Sequence, residues 1–306
     1  MLKIAFLFPG QGSQKIGMGE EFYLNFNSSK KLLDDAKKEL DIDFNELLFR
    51  PNEKLSQSEF TQPAIVLNSL MSYKALMEEL EFNPLFCIGH SLGEFSALCV
   101  SGAFSYIDAL KIVNLRGKFM QEECDGKDYG MMVVLGLNDL AIKEIIKERE
   151  FVYAANFNCD GQIVLAGKKS NLDLLLPLLK EAGAKKAMML DMSVISHCPL
   201  LKDAALKLYD ALLKFKIAQS FNPVISNVTA KPYDNKKEAL ELLERQLTSP
   251  VLYAKSIEDN EDRVDAFVEF GSGVLKGINR RVTKKPTFSI VDLKSLEQTV
   301  SELKKL

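Results

Sequence analysis

The sequence predicts an α/β fold: a largely parallel sheet covered by helices on both faces, with a small ferredoxin-like unit inserted in it. Three observations carry this expectation. The first hundred residues alternate apolar runs with helical segments: KIAFLFP, amphipathic stretches near 20–40 and 61–80, then LFCIG and a helix-forming successor. Strands that alternate with helices form a parallel sheet buried on both faces. Between about 130 and 193 the order changes to MMVVLGL, a charged helix near 138–149, VYAANFN, QIVLAG, a Leu-rich helix near 170–182 and KKAMMLDM. That order is βαββαβ, the ferredoxin-like arrangement. Finally, 306 residues with 47% hydrophobic content bury a large core but sit near the upper size of one domain, which suits an insertion.

Within the small unit, Asp160-Gly161 separates the two middle strands as a hairpin pair, because both residues tolerate the positive φ that two-residue loops need. After it, helices near 200–215 and 236–247, a strand at PVISNV and a final strand at AFVEFG return to the α/β style. The expected division is a large unit of residues 1–125 and 198–306 and a small unit of residues 126–197. Ligands gather at the carboxyl ends of parallel strands, and the cleft between the two units is the natural site.

Composition removes several function classes. A formal net charge of -3 provides no global basic field for nucleic acid. The N-terminal MLKIAFLFPG reaches Pro9 after a few apolar residues and lacks a charged leader with a long apolar stretch, so it reads as a strand and not a signal peptide. No run approaches the about 18 apolar residues of a membrane span. A soluble, cytoplasmic chain with no membrane partner is expected. The five cysteines show neither CxxC spacing nor a His/Cys cluster, so no metal is expected and reduced structural thiols are the default. Cys198 alone neighbours a residue of chemical interest, and it ranks well below Ser91 as a nucleophile.

Residues 89–93 read Gly-His-Ser-Leu-Gly, directly after the apolar run LFCI and directly before EFSALCVSG. This is the strand-turn-helix context of a nucleophile elbow: the glycines permit a sharp turn, the turn projects Ser91 Oγ from the sheet, and the amide after the serine can donate to an oxyanion. A serine hydroxyl needs a base, most often histidine. The chain has two histidines. His90 precedes the serine in the elbow and should point elsewhere, which leaves His197. No acid has a sequence signature for orienting His197; Asp191 and Asp203 are near in sequence, and a carbonyl could serve instead. FPGQGSQ, at the end of the first strand, lacks phosphate-loop spacing but can offer a second oxyanion amide. Arg116, in the helical segment KIVNLRGKFMQ, offers a planar fork for a carboxylate if it turns inward.

Together and in order, FLFPGQGSQ, FTQPAIV, GHSLGEFSAL, LRGKFMQ, AANFN with GQIVLAG, SHCPLL, QLTSPV and FVEFGSG resemble the malonyl-CoA:acyl carrier protein transacylases of bacterial type II fatty acid synthesis and the acyltransferase domains of polyketide synthases. The resemblance covers essentially the whole chain. It implies an α/β hydrolase-like core with a ferredoxin-like insertion. It also implies Ser91 as the acylated nucleophile, His197 as its base, Gln246 as the residue whose main-chain carbonyl orients that histidine, Gln11 and Leu92 as backbone donors to the oxyanion, and Arg116 as the ligand of the malonyl carboxylate. The implied activity moves malonyl from malonyl-CoA to the phosphopantetheine thiol of acyl carrier protein by a ping-pong route, supplying fatty acid elongation. Beyond the coenzyme A thioester substrate no cofactor is implied, and the chain is expected to act as a monomer.

Phe95 stands where tyrosine is frequent in this family and Tyr253 where tryptophan is; both are expected to be surface-to-core aromatic exchanges with little effect on chemistry. The serine of SVISH leaves malonyl against methylmalonyl choice open. Lys168, Lys169, Lys185, Lys186, Arg280, Arg281, Lys284 and Lys285 are candidates for docking an acidic carrier protein. The rival readings are a serine hydrolase or thioesterase on the same elbow, an acyltransferase for another acyl-CoA, and a non-catalytic carrier-protein scaffold. An inward Arg116 separates the first of these, since a lipase-like pocket has no use for a buried cation.

Overall fold

The computed structural model describes residues 2–306. Among the described residues ten strands follow in order: β1 (Ile4–Phe8), β2 (Phe86–Gly89), β3 (Tyr129–Leu135), β4 (Val152–Cys159), β5 (Gln162–Lys168), β6 (Lys186–Met189), β7 (Ser220–Ile225), β8 (Pro232–Asn235), β9 (Ala266–Phe270) and β10 (Thr287–Ile290). Six of them form one sheet in the order β10-β9-β1-β2-β7-β8, parallel except for the β7/β8 pair. The other four form an antiparallel sheet in the order β4-β5-β3-β6. The α/β architecture with a ferredoxin-like βαββαβ segment is thus present as the sequence predicts.

β1, β2 and β9 are buried along their whole length, which is why they read as unbroken apolar runs. Phe6 and Phe8 of β1 pack against Phe270 of β9 with ring centroids 4.8 and 5.4 Å apart, anchoring the central strands to each other. β1 is flanked by β9 on one side and β2 on the other, so the chain reverses its winding direction there. The loops after these strands converge at a topological switch point, where open α/β sheets form ligand crevices.

The helix Ser58–Glu79 is buried on all sides from Thr61 to Ser72, and not amphipathic there as expected. It carries Pro63 inside, which has no N–H for the Glu59 carbonyl one turn back. The side chain of Asn114 donates to that carbonyl at 2.9 Å, so the helix Tyr106–Cys124 is fastened to the defect. This contact fixes the helix that bears Arg116.

Other expectations are corrected. AFVEFG is not the last strand, since β10 follows it with only Ile290 fully covered. β8, with the sequence PYDN, carries three residues that strands disfavour around Tyr233 and survives as an antiparallel edge strand, where an unpaired backbone and a proline are tolerated. The stretch near 20–40 breaks at the extended Phe26 into Glu20–Asn25 and Asn27–Leu40, and the Leu-rich stretch forms two short helices, Lys169–Asp173 and Leu176–Glu181. The hairpin loop is Asp160-Gly161, with Gly161 at φ 66°. Edge strand β4 meets the rest of the chain at Val251, which exchanges hydrogen bonds with Ala155 and Phe157, and Arg281 donates to the Asp160 carbonyl. The two sheets are therefore joined along one side of the cleft.

Candidate active site

Ser91 lies in the turn between β2 and the helix Gly93–Val100, with φ 54° in the left-handed region. A non-glycine residue there stores about 1–3 kcal/mol of strain and needs neighbours that hold it. Asn227, just past β7, does so: its Oδ1 accepts from Ser91 N at 2.6 Å and its Nδ2 donates to Gly89 O at 2.6 Å. The flanking glycines leave no space for a side chain. A Cβ on Gly89 would lie 1.9 Å from the Gly93 carbonyl carbon, and one on Gly93 would lie 2.0 Å from Phe8 O.

His197 is 1% exposed and sits at φ 62° in the segment between β6 and the helix Lys202–Leu212. Its Nδ1 lies 2.8 Å from the main-chain oxygen of Gln246, and its Nε2 lies 2.6 Å from Ser91 Oγ. A carbonyl oxygen only accepts, so Nδ1 carries the proton and Nε2 presents its lone pair to the serine. Burial, with the charge of Arg116 added, pushes the imidazole down to about 3. His197 is therefore neutral and able to accept a proton. Asp191 and Asp203 are both exposed, and the carbonyl takes the orienting position. His90 turns to Asn158 Oδ1, 2.8 Å away on β4. Cys198 is buried, and that burial pushes its thiol up to about 12, the wrong direction for a nucleophile.

Arg116 turns inward and is 1% exposed. Its Nη1 donates to Gln62 Oε1 at 2.9 Å, and its Nη2 to Gln246 Oε1 at 3.2 Å and Ser91 Oγ at 3.3 Å. Among the described residues its buried Nε has no hydrogen-bond partner. Burial pushes the guanidinium down to about 9, opposed by Glu94, and it stays charged near neutral pH. Phe95 is not a surface exchange: it is fully buried, with its ring 5.5 Å from Arg116 Cζ. Tyr253 is buried too and donates its hydroxyl to Asn279 Oδ1.

Four residues that sequence reasoning did not single out complete the site. Glu94 accepts from Gln246 Nε2 at 2.6 Å, from Tyr233 Oη at 2.8 Å and from Asn227 N at 3.3 Å. Burial pushes its carboxyl up to about 7 against those hydrogen bonds. Gln62 was visible in FTQPAIV and Glu94 as the one acid in an apolar helix, but Asn227 and Tyr233 carry no local signal. Gln11 and Leu92 flank the serine in the two loops, and among the described residues neither amide has an acceptor. Both amides are thus free for an oxyanion.

These groups surround a cavity of about 220 Å³. Gln11, Ser91, Arg116 and His197 line it, together with Asn156, Asn158, Gln162 and Val164 of β4 and β5 and with Val274 and Ile278. Its lining thus draws on loops of the first sheet and on strands β4 and β5 of the second. Ser196 also lines it, its hydroxyl 3.6 Å from Met131 Sδ. A nucleophile with a neutral base, two free amides and a buried cation can carry out acyl transfer of an acid-bearing group. Among the described residues no cluster of His, Cys, Asp or Glu could hold a metal ion, and no helix is long and apolar enough to cross a membrane.

Comparison with known proteins gives the same picture. Residues 5–285 match the family model described as acyl transferase domain. The malonyl CoA-acyl carrier protein transacylase of Bacillus subtilis (strain 168) is 39% identical, with 99% of this chain and 98% of that protein aligned. The crystal structure of malonyl-CoA:acyl carrier protein transacylase from Helicobacter pylori superposes with TM-score 0.96 at 45% identity, over 100% of this chain and 99% of that one. A malonyl-transacylase solved in complex with a type II polyketide acyl-carrier protein superposes with TM-score 0.94 at 34% identity, over 98% and 99%. With its elbow, histidine and inward arginine in place, this chain belongs to the acyl transferase family, among the malonyl CoA-acyl carrier protein transacylases.

Proposed function

We propose that the chain transfers malonyl from malonyl-CoA to the phosphopantetheine thiol of an acyl carrier protein through a malonyl ester on Ser91. The observation that carries this reading is Ser91 Oγ standing 2.6 Å from His197 Nε2 and 3.3 Å from the buried Arg116 Nη2. In the first half-reaction Ser91 Oγ attacks the thioester carbon while His197 Nε2 takes its proton. The oxyanion rests on the Gln11 and Leu92 amides, the C–S bond breaks, and coenzyme A leaves as the thiol with the proton from His197. In the second, His197 takes the proton of the carrier thiol, the thiolate attacks the ester, and Ser91 leaves and is reprotonated. Arg116 holds the malonyl carboxylate throughout, Gln246 O holds the imidazole, and every proton is handled by the chain's own groups.

Incubation with malonyl-CoA should add one malonyl mass to Ser91, and carrier protein should remove it; rapid release of free malonate without the adduct would favour a hydrolase. The five cysteines are unpaired thiols, which suits the proposed cytoplasmic setting. The division into residues 1–125 with 198–306 and residues 126–197 belongs to the same proposal, with the cleft between them as the acyl site. The carrier protein docks, in this reading, on Lys168, Lys169, Lys185, Lys186, Arg280, Lys284 and Lys285, with Arg281 partly committed to the Asp160 carbonyl. Replacing these by alanine should abolish the salt dependence of transfer to carrier protein, and replacing them by glutamate should remove the attraction and reverse the slope; an unchanged salt slope would remove this surface from consideration.

A further inference from the structure

Arg116 stands at one end of a chain of polar side chains that none of these steps uses. Arg116 Nη1 donates to Gln62 Oε1 at 2.9 Å, Gln62 Nε2 to Ser58 Oγ at 3.0 Å, and Ser58 Oγ to Gln11 Oε1 at 3.2 Å. Its direction is forced from the arginine. A guanidinium cannot accept, so it must face the Gln62 carbonyl oxygen, which turns the amide nitrogen toward Ser58. Ser58 accepts there and keeps its own hydrogen for Gln11. The other neighbour of Gln62 Nε2 is Met120 Sδ at 3.3 Å, a weak acceptor, so Ser58 is the strong one.

Gln62 and Ser58 are fully buried, whereas Gln11 is partly exposed and lines the cavity. Among the described residues the Gln11 side chain has no partner besides Ser58. Two further side-chain bonds of that loop, Gly12 N to Gln14 Oε1 at 2.7 Å and Ser13 Oγ to Gly10 O at 2.8 Å, shape the turn internally, and Gly17 N, six residues on from Gln11, donates to Leu48 O of the helix Phe44–Phe49 at 2.7 Å. Ser58 is thus the side-chain anchor between the loop and the helix Ser58–Glu79.

We propose that Ser58 is a positioning residue that ties the carboxylate-binding Arg116 to the oxyanion loop, holding Gln11 so that its amide faces the carbon attacked by Ser91. Ser58 touches no reacting atom and acts through Gln11. Because a misplacement of about 1 Å at such a site costs about 10²-fold in rate, its effect belongs in the chemical step and not in substrate affinity. The proposal rests on the malonyl-Ser91 reading.

The test measures acylation of Ser91 by malonyl-CoA, by intact mass after rapid quench, in the wild type, Ser58→Ala, Gln11→Ala, the double variant and Ser58→Thr. Gln11→Ala keeps the main-chain amide and changes a partly exposed side chain, so it reports even if the buried Ser58→Ala fails to fold. Each single alanine variant is expected to slow acylation at saturating malonyl-CoA roughly 10- to 10²-fold, with KM moved less than about threefold. The double variant should be no slower than the slower single one, since both cut the same link. Ser58→Thr should restore most of the rate through its hydroxyl. Losses that multiply in the double variant, a loss confined to KM, or wild-type acylation in Gln11→Ala would overturn the proposal. Failure of the wild type to form malonyl-Ser91 would overturn the underlying reading and this proposal with it; normal adduct formation in the wild type with equal rates in the variants overturns the relay alone.

Discussion

Replacing Arg116 by alanine should reduce malonyl transfer by roughly 10²- to 10⁴-fold while uncharged acyl groups gain relative to malonyl. Two hydrogen bonds to a charged partner are worth about 1.5–3 kcal/mol each, and about 1.4 kcal/mol corresponds to a factor of ten. The loss has two sources that a competition assay separates. Malonyl-CoA loses the cation that its carboxylate needs, whereas an uncharged acyl-CoA loses only the order that Arg116 imposes on Gln62 and Gln246. Arg116→Lys should fall between, because an ammonium keeps the charge and loses the planar fork. A second readout follows from His197: burial is the larger cause of its lowered pKa and the Arg116 charge the next. Removing that charge raises the imidazole pKa, so the acid limb of kcat/KM should move to higher pH in Arg116→Ala. An unchanged malonyl preference would refute the carboxylate role.

The parts of the site legible in the sequence were those with a local chemical signature. Gly89 and Gly93 are readable because the turn has no space for a side chain, and His197 because only two histidines exist. Arg116 was readable only as a conditional, since its inward position rests on tertiary packing: it lies on the buried face of its helix and meets Gln62 and Gln246 from distant segments. Asn227 and Tyr233 were invisible for a related reason: each reaches the elbow from more than a hundred residues away, and nothing in PVISNV or PYDN marks a residue that will bond Ser91 N or Glu94. For the fold, continuous apolar runs exposed β1, β2 and β9, while the edge strands β8 and β10 are short and half-covered and carry little pattern. Pairing with a neighbour, not side-chain burial, defines them.

Replacing His197 by alanine should slow acylation of Ser91 by roughly 10⁴- to 10⁶-fold with little change in KM, the scale of losing a triad base. Ser91 then keeps its strained elbow and its amides but has no acceptor for its proton; Arg116, its other contact, can only donate. The orienting group makes a further distinction. An acidic partner would stabilise the imidazolium with a full charge, whereas the Gln246 carbonyl fixes the tautomer and raises the pKa too little to offset burial and Arg116, which leave it near 3. Since that value lies below the ordinary one, the imidazole stays neutral as pH falls from 7 toward 5. The wild-type kcat/KM for malonyl-CoA should therefore show no loss from this group near pH 6.5, and a bell-shaped profile with a single acid limb at 6.5 that disappears in His197→Ala would contradict it. Gln246→Ala, which keeps the carbonyl while removing the side-chain amide between Arg116 and Glu94, should leave the position of that limb closer to wild type than Arg116→Ala does. A larger shift in Gln246→Ala would mean that the side chain, and not the backbone, governs the base.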